Sequence, residues 1–579
     1  MTGRGREDDG SNGVAGVGRI VVERLSVAFD GAAAVRDVSF ELARGECVAL
    51  VGESGSGKSV TARALLGLTG GDVTADELSL DGRTLLGLGE RAWRRLRGPR
   101  IGLVLQDALV SLDPLRPIGR EIDDSLRLHT RLSAAERRRR VLEVLDEVGM
   151  PEAERRRSQR SGELSGGLRQ RALIAAALAL DPDVVIADEP TTALDAQVQR
   201  QVVDRLAALR DAGTAVLAIS HDLGAVRRLA DRVVVLRDGE VVEQGPVEQI
   251  LDAPRHEYTR SLVAALPAGK PRGTRLSPGG SRPGVGDGVG DGVGDGVGVG
   301  DGVGVGDGVG ERGLSGPTSP ARAASDREDR VLPRVLLRAT GLVRRFGDRA
   351  AVDDVSLELR AGETLGLVGA SGSGKTTTAR ILLGLDTPDE GSVELLGEAW
   401  NPLSEHERRA RRAALGAIYQ DALSSFDPRF TVGRILADAL TAGRSTRTGP
   451  VRARVETLLG EVGLAASLAD RSPASLSGGQ RQRVAIARAL APEPLVLVCD
   501  EPVSSLDVTV QAQVLDLLDE LQESRGLALL FISHDLEVIR HVSDHVAVMH
   551  EARVVEQAPT EQLFAAPEHP YTRSLLAAR

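Results

Sequence analysis

The chain has 579 residues, 41% hydrophobic and 27% charged, with a net charge of −11. Such a length exceeds what one core supports, so two or more domains are expected, and the acidic balance argues against broad binding to nucleic-acid phosphates. Aromatic residues make up only 2%, so the cores must be built from Ala, Leu and Val. Residues 1–18 hold charged and small residues without an apolar signal core and read as a disordered tail. An aliphatic strand over Cys47–Val51 then runs into Gly52-Glu-Ser-Gly-Ser-Gly57-Lys58-Ser59, with a helix expected over Ser59–Leu68. The spacing Gly-x4-Gly-Lys-Ser/Thr lets backbone N–H groups, those of Gly52, Ser54, Gly55 and Gly57 among them, wrap phosphate oxygens. It also brings an ammonium to the outer phosphates and a hydroxyl to Mg2+. An arginine-rich helical pattern follows over Ser133–Gly149. Its runs Glu136–Arg140 and Glu154–Arg157 read as a solvated helix face, with contact to lipid or a membrane subunit as the alternative. Next come Leu164-Ser165-Gly166-Gly167-Leu168 ahead of a helical run Arg169–Leu180, and a strand Val184–Ala187 closed by Asp188-Glu189-Pro190. A strand Ala215–Ile219 leads into Ser220-His221-Asp222-Leu223.

Beyond residue 267 the composition collapses to Gly, Val, Asp, Pro, Ser and Arg, and Gly284–Gly310 is a run of GVGDG units. The nine-residue period of a calcium-binding β-helix is absent, so 268–332 reads as a flexible tether. Its r.m.s. span would be roughly 40–50 Å, enough to join two adjacent domains. The same order then returns. A strand Thr364–Val368 enters Gly369-Ala-Ser-Gly-Ser-Gly374-Lys375-Thr376, with a helix expected over Thr376–Leu385. A helical region Val451–Gly463 precedes Leu476-Ser477-Gly478-Gly479-Gln480, a helix Arg481–Leu490, and a strand Leu495–Cys499 ending in Asp500-Glu501-Pro502. The strand Ala528–Ile532 leads to His534. The offsets 375 − 58 = 317, 500 − 188 = 312 and 534 − 221 = 313 nearly agree, which marks a tandem duplication of a whole domain of about 245 residues. The domains are therefore 19–267 and 333–579. Short aliphatic strands alternating with helices imply in each a mainly parallel sheet covered on both faces.

Only three lysines occur in the chain, and two of them, Lys58 and Lys375, close the glycine loops. Arg carries nearly all other positive charge, so a retained ammonium at both loops suggests that a guanidinium cannot serve there. Asp188 and Asp500, at strand ends, suit the Mg2+ shell, and Glu189 and Glu501 can polarise an attacking water; a plain helix-capping pair would look similar in isolation. Ser165 and Ser477, each followed by two glycines at a helix start, form an anion site or, more simply, an ordinary N-cap. Cys47 and Cys499 read as small buried hydrophobes, with no cluster for a metal and no need of an oxidising compartment. The longest apolar stretches fall short of the roughly 20 residues that span a bilayer, so any membrane role must come through a partner.

This constellation resembles the ATP-binding cassette (ABC) ATPases over nearly everything outside the tail and tether. The resemblance implies an α/β fold of two tandem P-loop NTPase domains, each with a β subdomain and an α-helical subdomain. It implies that Gly52, Ser54, Gly55, Gly57, Lys58 and Ser59, with Gly369, Ser371, Gly372, Gly374, Lys375 and Thr376, bind ATP. Ser59, Gln106 and Asp188, and likewise Thr376, Gln420 and Asp500, would ligate Mg2+. Glu189 and Glu501 would be catalytic bases, Gln106 and Gln420 sensors of metal and γ-phosphate, and His221 and His534 switch residues. Ala193-Leu194-Asp195 and Ser505-Leu506-Asp507 match the family's dimer-facing loop. Phe29 and Phe346 would stack on adenine, although a core Phe would look identical. In the family two cassettes meet head to tail, which would pair Lys58 with Ser477 and Gly479, and Lys375 with Ser165 and Gly167. Leu168 departs from the usual Gln, yet both halves keep Glu and His, so two competent sites are expected.

The segments Gln106–Gly119 and Gln420–Gly433 resemble the part of peptide-importer ATPases that meets membrane subunits, with Ala108 and Ala422 in place of a usual proline. His256-Glu-Tyr-Thr-Arg-Ser-Leu262 and His569-Pro-Tyr-Thr-Arg-Ser-Leu575 are similar to the C-terminal motif of the oligopeptide/dipeptide/nickel group. The likeness implies an ATP-hydrolysing subunit of an importer, with peptides as the expected cargo, held peripherally at the cytoplasmic face of the cell membrane. Its partners would be two permease subunits and an extracytoplasmic substrate-binding protein, with no nucleic acid. A tandem cassette acting on ribosomes or DNA, or the ATPase of a drug exporter, is the alternative.

Overall fold

A computed structural model describes residues 19–105, 111–191, 194, 196–277, 334–443, 449–504 and 506–577. The N-terminal tail, the GVGDG tract, Gln106, Ala108, Ala193, Asp195 and Ser505 lie outside the described residues.

In the first half, strands Cys47–Val51, Val184–Asp188 and Ala215–Ile219 are buried at every position, which is why they read as unbroken aliphatic runs. They sit in a six-stranded sheet whose order is Glu240–Pro246, Arg232–Arg237, Cys47–Val51, Ala215–Ile219, Val184–Asp188 and Ile101–Val104. All neighbours pair in parallel except the last hairpin, Arg232–Arg237 with Glu240–Pro246. The second half repeats the order as Arg553–Pro559, His545–His550, Thr364–Gly369, Ala528–Ile532, Val496–Asp500 and Leu415–Ile418. Each half adds an antiparallel sheet led by a long hairpin, Ile20–Phe29 with Ala32–Leu42 and Val335–Phe346 with Arg349–Arg360. The two free cysteines lie fully buried in the strands that contain them.

The helices after the glycine loops end earlier than the periodicity suggests, at Ala64 and Leu382. Gly67 and Gly384 turn into the left-handed region at φ +61 and +69, which stops each helix. A Cβ on Gly67 would also lie 2.4 Å from the Trp93 ring, so the chain there must be bare.

The helical subdomain of the first half contains the helix Ala134–Glu147, opened by a reciprocal cap. Ser133 Oγ accepts from Glu136 N and Glu136 Oε2 accepts from Ser133 N at 2.7 Å. Such a cap contributes about 1 kcal/mol. Its arginine run is only half a solvated face, a correction to the sequence reading. Arg138 and Arg139 are exposed, but the side chains of Arg137 and Arg140 are only 18% and 17% exposed. They turn inward because carboxylates wait there: Arg137 pairs with Asp123 at 2.7 Å, and Arg140 with Glu147 at 2.9 Å and Asp181 at 2.6 Å.

Residues 268–277, at the start of the stretch expected to be tether, pack on the second half. Asp516, buried in the helix Val508–Arg525, accepts from Leu276 N at 2.9 Å and Ser277 N at 2.8 Å. Arg272 donates to Gln522 Oε1 at 2.6 Å and pairs with Asp544, Arg275 pairs with Glu520, and Leu276 is fully buried.

Candidate functional site

Both glycine loops sit at the carboxyl ends of the central strands, where the next helix points its positive end outward. Gly57 and Gly374, at φ +96 and +106, cap those helices in a conformation that side chains resist. The opening glycines are equally constrained: a Cβ on Gly52 would sit 2.1 Å from the Leu236 carbonyl oxygen, and on Gly369 2.2 Å from that of Met549. At Gly55 a Cβ would meet no atom within 4 Å, so the loop keeps open space above its backbone N–H groups. Lys58 is 6% exposed, and its Nζ donates to the carbonyls of Gly52 at 2.8 Å and Glu53 at 2.7 Å. Lys375 repeats this with Gly369 at 2.7 Å and Ala370 at 2.9 Å. Burial lowers the Lys58 pKa, opposed by the carboxylates of Asp507, Glu189 and Asp188.

Ser59 Oγ donates to Asp188 Oδ1 at 3.0 Å, and Thr376 hydrogen-bonds Asp500 in the same way. Burial raises the pKa of both carboxyls, and the adjacent glutamate adds to it, while the hydroxyl bond works against it. A hydroxyl beside one carboxylate is an all-oxygen pair of the kind that suits Mg2+, which usually keeps few protein ligands and several from water and phosphate. Glu189 and Glu501 follow with left-handed backbones at φ +47 and +50, each pinned by donating its N–H to the neighbouring strand, at Ile219 O and Ile532 O. A non-glycine residue held there stores about 1–3 kcal/mol of strain, a common mark of functional positions.

His221 Nδ1 lies 3.5 Å from Glu189 Oε2, and His534 Nδ1 lies 3.3 Å from Glu501 Oε1. Gln420 Nε2 donates to the other oxygen of Glu501 at 2.7 Å. Gln420, Glu501 and His534 thus converge in the second half; in the first, Gln106 is outside the described residues. Burial disfavours either imidazolium, yet the bond to glutamate and its charge raise both histidine pKa values above normal. Glu501 is also buried, but His534 holds its pKa below normal. The histidine contribution to stability is complete below about pH 6.5 and fades as pH rises through the elevated value. The glutamate contribution is present above about pH 4.3 and is lost as pH falls through the depressed one. Without nucleotide, His534→Gln is therefore expected to lower the melting temperature at pH 6 and to matter progressively less towards pH 9. Melting curves that stay equally displaced across that range would contradict the pairing.

The two serine–glycine motifs differ. Ser477 Oγ accepts from Gln480 N at 3.3 Å and Gln480 Oε1 accepts from Ser477 N at 3.1 Å, a closed capping box. With Leu168 in the matching place, Ser165 makes no such cap bond. Both serines are exposed. Gly167 and Gly479 let their helices approach closely: a Cβ would lie 3.1 Å from Val198 and 2.4 Å from Val510. Phe29 and Phe346 end their hairpin strands with exposed rings, Phe346 at 54%, so neither is a core residue.

The second half meets the first loop through the expected dimer-facing segment, by bonds that the sequence did not specify. Thr509 Oγ1 donates to Glu53 Oε1 at 2.6 Å across 456 residues. Asp507 accepts from Ser54 N and faces Lys58 and His221, whose charges partly offset the rise that burial imposes on its pKa. Also missed were Tyr258 and Tyr571, whose hydroxyls accept from Glu53 N and Ala370 N. The repeated His-x-Tyr-Thr-Arg-Ser-Leu segment was the available signal.

Two parallel-sheet domains with phosphate loops, strand-end acids and paired glutamate and histidine define a tandem P-loop NTPase. The chain belongs to the ABC transporter family, whose model matches residues 35–192 and 352–504, and it is an ATP-binding ATPase of that family. A second model, the oligopeptide/dipeptide transporter C-terminal region, matches residues 242–288 and 555–579. The chain is 42% identical to the peptidoglycan transport ATP-binding protein YejF of Agrobacterium fabrum, covering 96% of this chain and 95% of that one. It is 41% identical to the oligopeptide transport ATP-binding protein OppD of Mycobacterium bovis, over 96% and 97%. A solved RNase-L inhibitor shares the fold at TM-score 0.60 and 21% identity, over 96% of this chain and 93% of that one. No helix among the described residues is long and apolar enough to cross a membrane.

Proposed function

We propose that the chain is the energy-coupling ATPase of a binding-protein-dependent importer whose cargo is a peptide or peptide-like molecule. The end-to-end likeness to two transport ATPases, named for oligopeptide and for peptidoglycan, carries this reading, with the C-terminal region matched in both halves. Two membrane permease subunits and an extracytoplasmic binding protein are the partners, and the chain works at the cytoplasmic face.

The loop N–H groups, with Lys58 and Lys375, bind the phosphates of ATP, and Phe29 and Phe346 stack on adenine. Ser59, Asp188 and Gln106, and Thr376, Asp500 and Gln420, would hold Mg2+, which would neutralise charge developing on the phosphate oxygens. Glu189 and Glu501 draw the proton from the attacking water, oriented by His221 and His534. The motif Ser477–Gly479 covers the loop of Lys58, and Ser165–Gly167 that of Lys375. The contacts of Asp507 and Thr509 with the first loop support this head-to-tail pairing. Closure on ATP and reopening after hydrolysis drive the permeases between inward and outward states.

The test is affinity purification of the full chain from its native membranes. Two co-purifying multi-span proteins are expected. Ribosomal subunits in their place would overturn the reading in favour of the ribosomal alternative.

A further inference from the structure

Each repeated His-x-Tyr-Thr-Arg-Ser-Leu segment lies about 200 residues beyond its glycine loop, yet its tyrosine touches that loop. Tyr258 Oη accepts from Glu53 N at 3.0 Å, and Tyr571 Oη accepts from Ala370 N at 3.0 Å. In each half this is the residue directly after the opening glycine, and its carbonyl oxygen holds the loop lysine, Lys58 at 2.7 Å and Lys375 at 2.9 Å. Tyrosine and lysine therefore grip one residue from its two ends. Its N–H bond fixes the peptide plane, and its carbonyl fixes where the ammonium waits.

The tyrosines are themselves held. Glu243, on the strand Glu240–Pro246, accepts from Arg255 N at 2.8 Å and His256 N at 3.0 Å, and His256 Nδ1 accepts from Tyr258 N at 3.1 Å. Glu556 repeats this with Glu568 N and His569 N, both at 2.9 Å, and His569 Nδ1 accepts from Tyr571 N at 3.2 Å. The ring faces are covered differently, by the Arg237 guanidinium over Tyr258 at 5.0 Å and by His550 stacked on Tyr571 at 3.8 Å. Two halves with different ring partners but the same hydroxyl bond indicate that the bond is the shared feature. We infer that Tyr258 and Tyr571 are positioning residues for ATP binding, acting through the first loop peptide on Lys58 and Lys375. The C-terminal region thereby sets the geometry of each phosphate loop. This rests on the reading of the loops as triphosphate seats.

The experiment uses the full chain carrying Tyr258→Phe and Tyr571→Phe together, which keeps both rings and removes only the hydroxyls. Leaving a part-buried N–H without its acceptor is expected to raise KM for ATP about five- to tenfold, with kcat changed less than about twofold and the melting temperature nearly unchanged. A purely packing role would leave KM unmoved in folded protein, and that result overturns the inference. If the double variant does not fold, the single variants decide it. Each is expected to weaken equilibrium binding of ATP at one of two sites, and two sites of unaltered affinity overturn the inference. Because wild type is measured alongside, a chain that hydrolyses no ATP at all would point to failure of the functional reading instead.

Discussion

Replacing Glu189 and Glu501 together by Gln is expected to leave ATP bound while turnover falls by about 10²–10⁴-fold, the usual contribution of a positioned general base. Gln matches Glu in size and can keep a contact with His221 and His534, whose Nδ1 atoms lie 3.5 and 3.3 Å from the carboxylates. The strained backbones of both residues owe nothing to charge, so the loops and lysines stay in place and ATP affinity persists. What is lost is the carboxylate that accepts a proton from water. Single-turnover hydrolysis with equilibrium ATP binding on the same sample measures both, and unchanged hydrolysis in the double variant would refute the assigned bases.

Gly374→Val is expected to remove one of two nucleotide sites. At φ +106 a branched side chain is forbidden, and a Cβ there would stand 2.2 Å from the Ala351 carbonyl oxygen. Strain of about 1–3 kcal/mol alone corresponds to roughly 5–150-fold in affinity, before the clash is counted. The stoichiometry of bound ATP should fall from two to one at concentrations that saturate the unaltered chain. Retention of both sites at full affinity would show that the loop can be rebuilt around a side chain.

Much of this site was legible because the motifs depend on local geometry. A fully aliphatic strand such as Ala215–Ile219 suits burial on both faces, and glycines at that spacing between a strand and a helix suit a loop that cradles an anion. What stayed hidden depends on proximity across the chain. The dimer-facing segment Ser505-Leu506-Asp507 announced that the halves meet, but nothing in sequence names Thr509 and Glu53 as the pair that bonds across 456 residues. The inward turn of Arg137 and Arg140 depends on where Asp123 and Asp181 stand, which a helical pattern does not specify. The loss of the capping box at Ser165 was visible as Leu168, but only the structure ties that change to a missing bond. Helix ends were misread by a few residues because Gly67 and Gly384 looked like interior glycines.

The helix Val508–Arg525 holds the preceding chain at two places: near its start Thr509 bonds Glu53 of the first glycine loop, and farther along Asp516 bonds residues 276 and 277, just beyond the first domain. The first tie sits at the first glycine loop; the second lies two helical turns away. If the loop contact were lost, the second tie would still anchor the start of the tether to the second lobe. So short a leash between the lobes would raise the effective concentration of each at the other.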